Sequence, residues 1–444
     1  MTWQEHDTAN DLADVSAPEL APSGYLDRVA DAEMAAALDA SPAVLIEGPR
    51  ACGKTWTARR FAASEALLDA AAASRLAANV DPALLLNGPA PRLLDEWQIA
   101  PDIWNPMRRA CDDRGRPGQF ILTGSADPPD DITRHSGAGR VLRVRMRPMS
   151  LFESDESSGS VSLAGLFASQ PTRAIDPGLR TDDVIRAACR GGWPSLVRNR
   201  ADEATALRIV RGYIEEISRT DIAQVDGISR DPTNVRRLLS SLGRNVSSEA
   251  SYATLAADTA GDTAGQSPVN RRTVATYMDS LARLFVVEDL PAWKPAITSR
   301  AQLRNAPKRH LADPSLAVAA LASNSHAVIA DLPFAGLLFE ALAVRDLRVY
   351  AQAAGGDVYH YRDSDGLEVD CIVRLADGRW LAVEVKLGGA AAIDAAVRSL
   401  TRLAAKIDRS RTRPPSRLVV LTASGYGYEH PSGAAVVPIT TLGP

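Results

Sequence analysis

Apolar positions along the chain change their spacing twice, and the changes divide it into three patterned regions. In the first, Ala43-Val-Leu-Ile leads into a glycine-rich turn, and an alanine-rich helical pattern runs from Thr55 to about Ala73. Two short apolar runs follow, Arg92-Leu-Leu-Asp-Glu and Gln119-Phe-Ile-Leu-Thr-Gly-Ser, with a helical segment between them. Strands alternating with helices predict a mainly parallel sheet covered by helices. Residues 153–182, rich in Ser, Asp, Gly and Pro, read as a loop or linker. From about 184 to 325 the period is mostly 3.6, as in Ala204–Ser218 and Val269–Leu284. Beyond 331 a helix, Leu332–Leu347, precedes three strand-like runs: Asp357–Arg362, Leu367–Arg374 and Trp380–Lys386. An alanine-rich helix, Ala390–Ile407, and a strand, Arg417–Thr422, complete the pattern. The expected fold class is α/β, divided into a tail (1–20), an α/β domain (21–152), a linker (153–183), a helical domain (184–325) and a second α/β domain (326–444).

At 444 residues, two to four domains are expected. With 45% apolar and 23% charged residues, the composition excludes a wholly disordered chain. A net charge of -4 excludes a globally basic nucleic-acid binder but leaves local basic patches open. No uninterrupted apolar stretch of about 18 residues predicts a transmembrane helix. The first twenty residues hold five acids and no Lys or Arg, which is unlike a secretory signal. Cys52, Cys111, Cys189 and Cys371 are far apart, with no CxxC pair. That spacing fits neither a zinc ribbon nor a disulfide framework, and agrees with a reducing cytoplasm. Only five of the 50 basic residues are lysine: Lys54, Lys294, Lys308, Lys386 and Lys406. Arginine being the default basic residue here, each lysine marks a place where a compact point charge differs from a planar fork.

Lys54 lies in Gly48-Pro49-Arg50-Ala51-Cys52-Gly53-Lys54-Thr55, a full GxxxxGK[ST] match placed between a strand and a helix. Such a loop aims backbone N–H groups and a helix N-terminus at phosphate. Lys54 would reach the outer phosphates and Thr55 would ligate Mg²⁺. Forty-one residues beyond Lys54, the apolar run Leu93-Leu94 ends in Asp95 and Glu96. Asp95 would hold Mg²⁺ through water, and Glu96 would orient and activate the attacking water. Thr123 or Ser125 either senses the γ-phosphate or caps a strand end. Cys52 either makes the loop redox-sensitive or is a small residue that fits. In Val141-Leu-Arg-Val-Arg-Met-Arg147 apolar residues alternate with Arg, so the arginines either keep an edge strand from aggregating or, through Arg140 or Arg134, meet a phosphate.

In the middle region a short helical pattern from Ser247 precedes a Ser267-Pro268 start signal and a helix with Arg271, Arg272, Thr273, Thr276 and Tyr277 on its polar side. Leu284 to Leu290 then reads as a strand. Lys294, Arg300, Arg304, Lys308 and Arg309 form a basic run without an acid. Two helices and a basic hairpin resemble a winged helix that binds DNA or docks a protein. In the last region Glu340, Asp370, Glu384 and Lys386 can gather on one side of a sheet. Asp370 and Glu384 are 14 residues apart on adjacent strands, and Glu384 and Lys386 share a face. Carboxylates gathered this way hold Mg²⁺, with the lysine beside an activated water. The other reading is a solvated, alternately charged sheet.

With these segments in view, the chain resembles a bacterial and archaeal family of AAA-type ATPases whose C-terminal part combines a winged helix with a restriction-endonuclease-like, PD-(D/E)XK fold. Gly48–Thr55, Leu94-Asp-Glu-Trp-Gln, Leu122-Thr-Gly-Ser, Gly191-Gly-Trp-Pro, Phe339-Glu, Glu368-Val-Asp-Cys and Val383-Glu-Val-Lys carry the likeness, from about Tyr25 onward. It departs at Cys371, where the family has an aromatic residue, and near Leu311-Ala-Asp-Pro. The resemblance implies ATP and Mg²⁺ as ligands. The expected function is an ATPase acting on or at nucleic acid, DNA above all, with a metal-dependent nuclease domain. The alternative is an ATP-switched regulatory or partner-binding module whose nuclease-like domain does not cleave. A toxin–antitoxin or defence role suits either, and self-association or a protein partner stays open.

Overall fold

A computed structural model describes residues 20–68, 81–125, 137–222, 230–260, 267–295 and 306–444. Its first region is a five-stranded, wholly parallel sheet: β1 (Ala43–Glu47), β2 (Ser64–Leu67), β3 (Arg92–Asp95), β4 (Phe120–Gly124) and β5 (Val141–Arg145), in the order β2-β3-β4-β1-β5. Helices α1 (Ala30–Ala40), α2 (Lys54–Phe61) and α3 (Trp104–Arg114) pack on it. Ala43 and Leu45 of β1 pack with Trp97 and Trp104 on one face, Val44 and Ile46 with Met34 and Ala58 on the other. Burial on both faces is why β1 reads as a continuous apolar run. Register sets Leu45, Leu94 and Leu122 in one row, so Asp95 and Thr123 end their strands beside the loop that follows β1. Ligands of open parallel sheets bind at these carboxyl ends.

The helix expected to run to Ala73 ends at Phe61 instead, and Ser64–Leu67 is a strand. Parallel pairing with β3 overrides the helical preference of the Ala-rich sequence. Residues 69–73 lie outside the described residues, as do almost all of the expected tail, Arg134, Arg300 and Arg304.

The stretch read as a linker carries β6 (Val161–Ser162) and α4 (Leu163–Phe167). Eight helices follow: α5 (Thr181–Arg190), α6 (Pro194–Arg198), α7 (Glu203–Glu216), α8 (Pro232–Arg244), α9 (Tyr252–Asp258), α10 (Arg271–Arg283), α11 (Pro314–Ala320) and α12 (Ser325–Ala330). A π-helical turn, Ile217–Asp221, continues α7. Most of these helices start at an oxygen-bearing cap, such as Asp202 accepting from Thr205 N–H and Asn270 from Arg272 N–H. The strand expected at Leu284–Leu290 is reduced to two isolated bridges, Val287 with Leu311 and Leu290 with Lys308. Phe285 has a φ of 59°, and this left-handed turn breaks the extended run.

Helix α13 (Leu332–Ala353) leads into a mixed sheet of β7 (Gly356–Arg362), β8 (Glu368–Leu375), β9 (Trp380–Lys386), β10 (Arg417–Thr422), β11 (Tyr428–Glu429) and β12 (Ala435–Pro438), in the order β11-β12-β10-β9-β8-β7. Helix α14 (Ala390–Lys406) crosses from β9 to its parallel neighbour β10 and covers one face through Ile393, Val397 and Leu400. The other face, with Val383, Val419 and Leu421, belongs to a core that also contains Leu207, Leu238 and Leu281 of the middle helices. One apolar core therefore joins the helical region to the C-terminal sheet. A last strand, β13 (Leu442–Gly443), pairs in parallel with β6. Among the described residues no helix is long and apolar enough to cross a membrane.

Candidate functional site

The loop after β1 owes its shape to two glycines. A Cβ on Gly48 would lie 2.1 Å from the Met146 carbonyl oxygen, and Gly53 has a φ of 105° at the start of α2. Cys52 is fully buried beneath the loop, which fits the small-residue reading. The Lys54 ammonium donates to the carbonyls of Gly48 and Pro49, each at 3.0 Å. Both partners are neutral, so the charge is contained but not cancelled.

Asp95 Oδ1 accepts hydrogen bonds from the hydroxyls of Thr55, at 2.9 Å, and Thr123, at 2.5 Å. Glu96 leaves the strand with a φ of 54°, while its N–H donates to Thr123 Oγ1 at 3.0 Å. That turn sends its carboxylate to Ser125, whose hydroxyl donates to Oε2 at 3.0 Å, and to the Gln98 amide. Thr123 thus aligns Asp95 and Glu96, while Ser125 orients Glu96. A hydroxyl next to a carboxylate at the start of a helix is the oxygen donor set a Mg²⁺ with several waters requires, so the residues fit the ion.

A cavity of about 280 Å³ opens over Lys54, Thr55 and Glu96. Its other walls come from elsewhere: Gly24 to Leu26 before the first helix, and Pro194, Ser195 and Arg198 of α6. The Arg198 guanidinium lies 4.5 Å above the Trp56 ring. Arg28, buried, donates to the Cys52 carbonyl at 2.8 Å and pairs with Glu153 at 3.0 Å, bracing the loop. Arg50 reaches Asp221 at the end of the π-helical turn, at 2.5 Å. Burial raises the Asp221 carboxyl pKa and the Arg50 charge opposes the rise. The sequence reading missed these helical-region contacts. The available signal was Gly191-Gly-Trp-Pro194: a Cβ on Gly192 would sit 2.0 Å from the Met149 carbonyl oxygen, and Pro194 starts α6.

The arginines of β5 and of the residues just after it are paired. Arg143 meets Glu47 at 2.7 Å, Arg145 lies 3.9 Å from the Phe285 ring centroid, and Arg147 holds Glu288 at 2.6 Å. Arg140 bonds Asp112 at 2.6 Å. Arg271, Arg272 and Lys294 are exposed. Tyr277, expected on the polar side of α10, is buried in the core. Lys308 and Arg309, expected in a surface run, are buried as well.

Lys308 enters the C-terminal constellation. Its ammonium lies 2.8 Å from Glu340 Oε1, 2.8 Å from Glu368 Oε1 and 3.7 Å from Asp370 Oδ1. Lys386 holds Asp370 Oδ2 at 3.0 Å and Glu384 Oε2 at 2.7 Å. Cys371 pairs with Val383 in register, which leaves Asp370 and Glu384 neighbours one step beyond. All four residues singled out from sequence therefore meet, joined by Glu368 and Lys308. Burial, and then the Asp370 charge, raises the pKa values of Glu340 and Glu384. Burial also opposes ionisation of Asp370, but Lys308 and Lys386 overcome it and lower its pKa. Burial would lower the Lys308 pKa, and the carboxylates raise it instead. Among the described residues no group of three or more His, Cys, Asp or Glu side chains could hold a metal ion.

Comparison with known proteins agrees with this layout. Residues 40–154 match the model of an AAA domain, 181–327 a domain of unknown function (DUF8612) and 335–442 another (DUF4143). The chain is 28% identical over 379 residues to uncharacterized proteins of Mycobacterium tuberculosis (Rv2008c) and Mycobacterium bovis (Mb2031c), covering 84% of this chain and 76% of each of those. A Walker-type ATPase of Pyrococcus abyssi aligns over 68% of this chain and 98% of its own, with a TM-score of 0.42 and 13% identity. The chain is thus an α/β protein whose N-terminal region matches an AAA domain, followed by regions similar to two domains of unknown function.

Proposed function

We propose that the protein binds ATP with Mg²⁺ over the Gly48–Thr55 loop, hydrolyses it, and uses the cycle to act at nucleic acid. The observation that carries this is the convergence of Lys54, Thr55 and Glu96 on one cavity at the carboxyl end of a parallel sheet, with Asp95 bonded to the Thr55 hydroxyl at 2.9 Å. Mg²⁺, held by Thr55 and through water by Asp95, would offset phosphate charge. Lys54 would exchange the Gly48 and Pro49 carbonyls for phosphate oxygens. Glu96, oriented by Ser125 and Gln98, would position the attacking water and take its proton. Cavity walls from α6, and the Arg50–Asp221 pair, give the helical region a direct view of the bound nucleotide.

Helices α9 and α10, followed by the bridged 287–290 and 308–311 segments, have the order of a winged helix. Exposed Arg271, Arg272 and Lys294 would contact phosphates there, and Arg300 and Arg304 join them on sequence grounds. The mixed sheet with α13 and α14 suits a restriction-endonuclease-like domain. Neutralisation of its acids by two lysines favours the second reading, an ATP-switched binding module that does not cleave. The test is binding of labelled duplex DNA, with and without ATP and Mg²⁺, across a salt series. Replacing Arg271, Arg272 and Lys294 by Ala should flatten the log–log salt dependence by about one unit per lost phosphate contact. Wild-type protein without salt-sensitive binding to any nucleic acid would transfer the region to protein docking.

A further inference from the structure

We infer that the acid cluster of the C-terminal sheet is a cation site filled by the chain itself: the Lys308 ammonium, delivered by the helical region, stands where a divalent ion would have to stand. A nuclease-like fold implies such an ion, and this donor set does not accommodate it. Glu340 and Glu368 each offer an oxygen 2.8 Å from the ammonium nitrogen, and Asp370 offers one at 3.7 Å. Divalent ions need oxygens at about 2.0–2.6 Å, so an ion coordinated by the same oxygens would overlap the nitrogen. The remaining Asp370 oxygen and Glu384 are taken by Lys386 and by the Val385 N–H, which donates to Asp370 at 2.8 Å. Arg362 approaches Glu368 at 3.7 Å from the far side. No acid in the cluster is left without a cationic neighbour.

Lys308 is seated, not dangling. Its side chain is 3% exposed. Its backbone exchanges hydrogen bonds with Leu290, N–H to carbonyl at 3.0 Å and carbonyl from N–H at 2.8 Å. The next residue donates its N–H to the Ser248 carbonyl at 2.7 Å. A lysine buried this deeply in the charged state requires carboxylates around it, and these carboxylates require a cation. Each satisfies the other, so the helical region and the sheet are locked by the same contact that excludes the ion.

The experiment is a Mn²⁺ titration of the full chain without nucleotide, read by electron paramagnetic resonance, so that the phosphate loop contributes nothing and the ATPase reading is not at stake. Wild type, Asp370→Asn and Glu384→Gln should give the same curve. Lys308→Met should gain one Mn²⁺ per chain, bound at least tenfold more tightly than any in wild type, and lose it again in combination with Asp370→Asn. Lys308→Gln serves the same purpose if the Met protein does not fold, and Lys308→Arg should gain nothing. A Mn²⁺ ion bound by wild type and lost in Asp370→Asn or Glu384→Gln would overturn the inference. So would folded Lys308→Met or Lys308→Gln protein that gains no ion.

Discussion

Two buried lysines, Lys54 and Lys308, sit near carboxylates in this molecule, and their partners set them apart. Among the described residues Lys54 bonds main-chain carbonyls, while Asp95 accepts from hydroxyls and Glu96 from a hydroxyl and an amide. Lys308 bonds the carboxylates themselves. A charge held by neutral dipoles keeps its attraction for an incoming phosphate. A charge held by opposite charges has already made its interaction and contributes to architecture. Gathering of acids and lysines in one place therefore says little about chemistry until their pairing is known.

The same substitution at the two lysines should give opposite profiles. Lys308→Met removes one member of a buried charge cluster and should cost about 3 kcal/mol or more of stability in the C-terminal region, measured by denaturant-dependent proteolysis. Lys54→Met should leave that resistance nearly unchanged. Its effect should fall on ligand affinity: calorimetry with ATP and Mg²⁺ should show a loss of about 100-fold or more, equivalent to roughly 2.7 kcal/mol. Equal affinity in the two proteins would place the phosphates elsewhere. Glu96→Gln should keep nucleotide affinity and slow hydrolysis by about 10²-fold, the scale of a positioned acid–base group. Unchanged turnover would assign the water to another residue.

The smallest expected effect is one of pH. His360 faces Lys308, Glu368, Arg362 and Glu249, and burial, with the Lys308 charge next, lowers its pKa from 6.5 to about 4. The unfolded chain would bind a proton there between those values and the folded chain would not. Stability that His360 contributes as a neutral group is present above about 6.5 and is lost as pH falls toward 4. His360→Gln should flatten that part of the stability profile, and an unaltered slope would move the acid sensitivity to buried His310.

The sequence made some of this legible for local reasons. A glycine-rich turn between strand and helix, and an apolar run ending in Asp95, are short-range patterns whose chemistry depends on neighbours in the chain. Strands Trp380–Lys386 and Arg417–Thr422 were equally clear because each is a single run. What stayed hidden depended on distant partners. Ser64–Leu67 becomes a strand only through β3. Lys308 belonged by charge to a surface run, and nothing local reveals that Glu340 and Glu368 close around it. Pro194 to Arg198 lie some 140 residues beyond Lys54 yet wall the same cavity. The acids expected to hold a metal do meet, with Lys386 beside them, but the second countercharge, Lys308, was not read.

The parallel pairing of β13 with β6 has a consequence for synthesis. The Ser157 hydroxyl donates to the Leu442 carbonyl, 285 residues later in the chain. At ribosomal speeds of about 5–20 residues per second, that is a delay of roughly 15–60 s after the first region has emerged. During that interval the phosphate-loop sheet has every one of its strands, but Val161 and Ser162 have no strand beside them. The nascent chain would carry an assembled sheet beside an open edge, a window in which a chaperone or a second nascent copy could reach Val161 before Leu442 does.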